Sequence, residues 1–251
     1  MMRRLWHYST LLLPLALMIA FAPPKEPHPQ KKQSKLERVA HAGGAIDGTP
    51  YTNSLEALDL NRDRYDFFEV DLNFTSDGHL VCIHDWNAFS APPTLSEFEE
   101  RGKNSKYKNC TLESLVFWMN QNPRKTIITD VKQDNLKALQ LIAQAHPTLQ
   151  HRIIPQIYHP AEYFPARQLG YNQVIFTLYV FGGSNQEVLN AARRYDFFAI
   201  TMPPERALAL AKPLKKLGVP SYVHTINSQK EYEQYKELGI SEIYTDSLWI
   251  R

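Results

Sequence analysis

The chain predicts an α/β fold, a closed (β/α)8 barrel, on three observations. From Arg38 onward, short apolar runs alternate with amphipathic ones, the pattern of parallel strands joined by helices. Gly170, Gly218 and Gly239 each stand just past a helix-like run, where a left-handed residue ends a helix. Titratable residues gather at the ends of the strand-like runs, the end at which barrels keep their reactive groups. A length of 251 residues suits one such domain.

In chain order the strand-like runs are 38–41, 67–72, 80–84, 126–131, 153–158, 174–179, 197–202, 220–226 and 242–245. Helix-like segments between them are Ser54–Asn61, Leu112–Gln121, Asn135–Ala145, Gln186–Tyr195, Glu205–Leu217 and Gln229–Leu238. A doubly wound open sheet is the alternative, but no glycine fingerprint marks a first βα turn. Nine runs for eight barrel positions make one of them an extra. The connection from 67–72 to 80–84 is too short for a crossover helix, so the barrel should be distorted near its second and third strands. The polar stretch from Trp86 to Asn109 leaves the end of the 80–84 run and should form a rim or lid over the reactive face.

Residues 1–22 read as a signal peptide or an N-terminal membrane anchor. Arg3 and Arg4 precede the apolar stretch Leu11–Ala22, and Ala20-Phe21-Ala22 has the small-x-small form of a cleavage site. Pro23 opposes cleavage there, which keeps the uncleaved anchor as a second reading. Residues 23–36, rich in Pro and Lys, read as a flexible linker, and 37–251 as the barrel domain. The chain is thus expected to be exported, periplasmic or extracellular, with a membrane tether if the segment is retained. A composition of 43% hydrophobic and 22% charged residues is ordinary for a globular protein. The net charge of +2, with many basic residues in the first 40 positions and no Lys/Arg stripe among aromatics, argues against nucleic acid as a partner. Nothing in the sequence marks an oligomeric state. Cys82 alternates in phase with His84, and so should face the interior, while Cys110 lies in a polar loop; strand direction therefore argues against a disulfide between them.

The chemistry concentrates in the run Phe67–Asp85. Glu69 and Asp71 point the same way off a strand, and two carboxylates cannot share a dry core without a cation. An acidic pair on a strand is often just a solvated face. Here Phe67 shares that face while Phe68 and Val70 occupy the other, so both sides look covered, as in parallel sheets. After the turn Ser76-Asp77-Gly78, a second apolar run ends in His84-Asp85, which brings a group able to move a proton near neutral pH. Together these point to hydrolysis assisted by a hard metal ion. The other strand ends add His41, then Asp130 and Lys132, then Gln156 and Tyr158, then Tyr179, Thr201, His224 and Asn227. An inward Lys132 needs a partner, Tyr158 and Tyr179 read as packing at the barrel top or as lining a pocket there, and His224 as a pocket residue or a hydrogen-bonded core histidine.

The ordered set His41-x-Gly43, Asn53-Ser54, Glu69-x-Asp71, Thr75-x-Asp77-Gly78, Val81-x-x-His84-Asp85 and Tyr244-Thr245-Asp246 resembles the glycerophosphodiester phosphodiesterases. These belong with the phospholipase C-like phosphodiesterases of TIM-barrel fold. The resemblance implies that Glu69, Asp71 and Asp130 bind one divalent ion, Mg2+ or Ca2+ given oxygen donors alone. It implies His41 and His84 as the acid–base pair. Lys132, Gln156 and His224 would bind substrate, Lys132 as a point charge on the phosphate. The implied reaction cleaves a small or lipid-derived glycerophosphodiester to an alcohol and glycerol phosphate, a step of lipid metabolism. Four positions depart from the family pattern: Ala42 for Arg, Thr52 for Glu, Asp130 for Glu, and His224 at the head of a run usually begun by Trp. They leave two alternatives, a phospholipase-like enzyme acting on a lipid or envelope-polymer headgroup, and a catalytically silent barrel that binds a phosphorylated ligand.

Overall fold

In the computed structural model, which describes residues 37–249, the alternating runs become strands and the amphipathic runs pack outside them. The elements are β1 (Val39–Ala40), α1 (Leu55–Asn61), β2 (Phe67–Phe74), β3 (Leu80–Cys82), α2 (Leu95–Gly102), β4 (Cys110–Thr111), α3 (Leu112–Gln121), β5 (Thr126–Val131) and α4 (Asn135–Ala145). They continue with β6 (Ile153–Ile157), α5 (Tyr163–Gln168), β7 (Ile175–Thr177), α6 (Asn185–Arg194), β8 (Ala199–Met202), α7 (Pro204–Lys216), β9 (Ser221–Val223), α8 (Gln229–Leu238) and β10 (Glu242–Thr245). Among the described residues β1, β2 and β5 to β10 form one parallel sheet, closed because β1 pairs with both β2 and β10. This is the (β/α)8 barrel expected. The segment 1–22 and the linker 23–36 lie outside the described residues, and no described helix is long and apolar enough to cross a membrane.

Period two sorts each strand's side chains into two cores. The barrel interior is closed by Val39, Ile128, Ile154, Ile175, Ala199, Tyr222 and Tyr244, with Phe67 and Phe198 against them. The opposite faces, such as Phe68, Val70 and Leu72 on β2, join the larger core under the helices, where Phe68 meets Trp118 edge-on at 5.4 Å. Helix starts follow their caps. Ser54 accepts from the Ala57 amide, while Thr94, Thr111 and Ser184 build reciprocal caps on α2, α3 and α6. Gly218 and Gly239, at φ 71° and 102°, end α7 and α8 in the left-handed region as the sequence requires.

The expected distortion lies between β2 and β5, and there the expectation against a disulfide fails. The run 80–84 is the extra strand: β3 pairs antiparallel with the upper half of β2, Cys82 opposite Leu72, and stops two residues short of His84. A second short strand, β4, unforeseen in the sequence, pairs antiparallel with β3 and sets Cys110 directly opposite Cys82. The two cysteines form a disulfide. The expectation against it counted phase along a barrel strand, but β3 lies outside the barrel, so its phase says nothing about the barrel interior. The Trp86–Asn109 excursion also contains α2, whose Phe98 is buried.

Candidate active site

Two residues beyond each interior apolar side chain, the same strand face reaches the open end of the barrel. The step leads from Val39 to His41, Phe67 to Glu69, Ile128 to Asp130, Ile154 to Gln156, Tyr222 to His224 and Tyr244 to Asp246. The eight residues singled out from the sequence (His41, Glu69, Asp71, His84, Asp130, Lys132, Gln156 and His224) all line one cavity of about 170 Å3. Tyr51, Thr177, Tyr179, Thr225 and Tyr244 complete its wall.

Glu69, Asp71 and Asp130 are buried and offer oxygens that lie within 4.8 Å of one another. Each is held from behind. Glu69 Oε2 accepts the Ala42 amide at 2.7 Å, whereas its Oε1 is buried with no partner. Asn53 donates to Asp71 Oδ2 at 2.8 Å and accepts the Asp71 amide at 2.9 Å, from a left-handed backbone (φ 47°) that asparagine tolerates. Asp130 Oδ1 accepts from the hydroxyls of Tyr158 and Tyr179, the latter at 2.9 Å. Read from sequence as packing or pocket lining, these tyrosines orient a carboxylate, and Tyr179 also lines the cavity. Burial, and then the neighbouring Asp71 charge, push the Glu69 carboxyl up to about 8. Lys132 Nζ sits 2.6 Å from Asp71 and 2.8 Å from Asp130. Burial opposes its charge, but Asp130 and Asp71 outweigh that and raise it above the usual lysine range. One ammonium does not balance three carboxylates. The excess charge, the orphaned Glu69 oxygen and the all-oxygen donor set fit a hard divalent cation.

The two histidines are held differently. His41 Nδ1 lies 2.8 Å from Asp246 Oδ1, and its Nε2 is 3.9 Å from Glu69. Burial works against its protonation, but the Asp246 hydrogen bond and the Glu69 charge prevail, and it titrates above the ordinary imidazole range. Asn227 fixes Asp246 in turn, donating to Oδ2 at 2.6 Å and accepting the Asp246 amide at 2.8 Å. The role of Asp246 was not anticipated, although Tyr244-Thr245-Asp246 stood out as a strand-end motif. His84 enters from the loop after β3, its side chain 47% exposed and its Nδ1 2.9 Å from Asp85. His224 hydrogen-bonds through Nδ1 with Thr201 at 3.0 Å; burial, reinforced by His41, pushes it down to about 4. Burial thus favours its neutral form. Gln156 is buried on β6 between these groups.

The sequence matches no protein-family model and no curated protein. Solved structures do match its fold. A glycerophosphodiester phosphodiesterase from Parabacteroides distasonis superposes with a TM-score of 0.68 at 19% identity, over 85% of this chain and 94% of its own. One from Agrobacterium tumefaciens gives 0.61 at 14% identity, over 84% and 96%. An Oleispira antarctica phosphodiesterase, solved with its product sn-glycerol-3-phosphate, gives 0.65 at 17% identity, over 84% and 93%. What they share with this chain is the barrel.

Proposed function

We propose that this protein is a metal-dependent phosphodiester hydrolase of the glycerophosphodiester phosphodiesterase type. One observation carries the reading: His41, His84 and three clustered carboxylates line a single cavity at the end of the barrel where strands finish. The shared fold supports it, as does the glycerol phosphate product bound to the Oleispira phosphodiesterase. Glu69, Asp71 and Asp130 would hold one divalent ion, Mg2+ or Ca2+. When bound, such an ion neutralises charge that builds on a phosphate oxygen.

The chain's own residues do the rest. Lys132 supplies a fixed positive charge beside the phosphate. Of His41 and His84, one takes the proton of the attacking hydroxyl or water while the other protonates the departing alkoxide. Asp246 keeps the Nδ1 face of His41 occupied and leaves Nε2 turned toward the cavity. Neutral His224, with Gln156, offers hydrogen bonds to an alcohol without adding charge. The substrate is a small or lipid-derived phosphodiester. An exported location, with 1–22 as signal or anchor ahead of the 23–36 linker, accords with the Cys82–Cys110 bridge, since disulfides persist in oxidising compartments.

A phospholipase-like action on a lipid or envelope-polymer headgroup is the second reading. It is favoured by Ala42, whose methyl is fully buried where the family has an arginine. The test is release of alcohol from a panel of glycerophosphodiesters and headgroup diesters with Mg2+ or Ca2+ supplied. Turnover that chelation abolishes, and that His41→Ala and Glu69→Ala lose, is expected. No turnover with either ion rejects a hydrolase and leaves a barrel that only binds phosphorylated ligands.

A further inference from the structure

His41 is built into the barrel, but His84 is not. It stands beyond the end of β3, and its hydrogen-bond partner Asp85 is its own sequence neighbour, outside the barrel as well. Across the cavity it meets Tyr51. The phenol ring stands edge-on to both imidazoles, its centroid 4.5 Å from His41 at 89° and 5.6 Å from His84 at 90°. Aromatic rings favour this T-shaped arrangement. We propose that Tyr51 is a positioning residue that holds His84 at a fixed separation from His41 across the reaction cavity.

Tyr51 is itself anchored. The loop that carries it is tied to the last strand's end by Ala45, whose amide donates to the Asp246 carbonyl at 2.7 Å, and is pinched by paired amides between Ile46 and Thr49. Thr225, two residues past β9, lines the same cavity wall as the phenol. From the other side the Trp86–Asn109 excursion holds the same loop, through Tyr107 on the Ile46 carbonyl at 3.4 Å and Lys106 on Asp47 at 3.3 Å. Tyr51 has φ 60° and is 49% exposed. An aromatic residue in the left-handed region gains little from burial there, and strain of this kind gathers where geometry serves a site. Paired acid–base transfer depends on the separation of its two groups, so an ordered ring between them governs how often both are in reach of the same phosphate.

The kinetic arm rests on the phosphodiesterase reading; the spectroscopic arm does not. Tyr51→Phe keeps the ring, and Tyr51→Asn removes it while tolerating the left-handed backbone. On any diester the wild type turns over, Tyr51→Asn should lose about 100-fold in kcat with KM changed only a few-fold, as expected of a misplaced catalytic group. Tyr51→Phe should recover most of kcat. In parallel, the His84 ring resonance, assigned with His84→Gln, should shift toward that of a free imidazole in Tyr51→Asn but hold its place in Tyr51→Phe. A loss confined to KM, an unchanged kcat, or a His84 resonance alike in all three proteins overturns the proposal. If the wild type turns over no diester, the phosphodiesterase reading fails by itself, and the resonance alone supports or overturns the positioning role.

Discussion

His41 and His224 share one cavity yet are pushed in opposite directions, because His41 has gained Asp246 while His224 has gained only burial and a hydroxyl. A histidine depressed to about 4 contributes stability that is fully present above its unfolded value near 6.5 and is lost as pH falls toward 4. Between pH 6.5 and 4.5 that loss amounts to roughly 2 kcal/mol. Urea unfolding of the wild type and His224→Gln should therefore converge as the solution is acidified; parallel pH profiles would count against a neutral His224. Asp246→Asn should reduce kcat by about 100-fold or more, the scale of a lost acid–base contribution, with the fold intact by circular dichroism. Wild-type kcat in that variant would remove Asp246 from the mechanism. Most cavity residues were legible in the sequence because a titratable side chain two positions beyond an apolar one has only the barrel mouth to enter. The pairing of Asp246 with His41 was not, since the two lie 205 residues apart and only barrel closure brings the first and last strands together.

At the scale of elements, the antiparallel pair β3 and β4 is where sequence and structure part. Alternation along 80–84 is the same whether a strand runs parallel in a barrel or antiparallel outside it, so pattern alone could not place it. The short connection did mark the region as irregular. Once β3 and β4 pair, Cys82 and Cys110 face each other, and the bridge closes a loop of 28 residues. Replacing both with serine should cost about 3 kcal/mol in denaturant unfolding. It should also lower kcat more than it raises KM, because His84 follows Cys82 by two residues. An unchanged unfolding midpoint would show that the β3–β4 pairing holds without the bridge. Helices α2 and α5 are not legible in the sequence because, at 8 and 6 residues, each is too short for a helical period to show.

For the whole molecule, the clustered carboxylates are a cost of folding that a bound cation would offset. An ion at about a hundredfold excess over its dissociation constant adds about 2.7 kcal/mol of stability, a rise of roughly 5–10 °C in Tm for a domain of this size. Scanning calorimetry with Mg2+, with Ca2+ and with chelator should show that rise, and Glu69→Gln should diminish it. An equal response in wild type and variant would place the ion elsewhere.

The order of elements, the two faces of each strand and the residues at the strand ends follow from local periodicity and were present in the chain before any contact formed. Pairings between distant segments were not. The bridge from Cys82 to Cys110, the anchoring of Asp130 by Tyr158 and Tyr179, and the contact of Tyr51 with His84 join residues far apart in sequence, whereas β3 leaves the barrel by folding back on nearby β2. Periodicity specifies which face a side chain takes; which partner it meets there is settled when the sheet closes and its loops come to lie over one end.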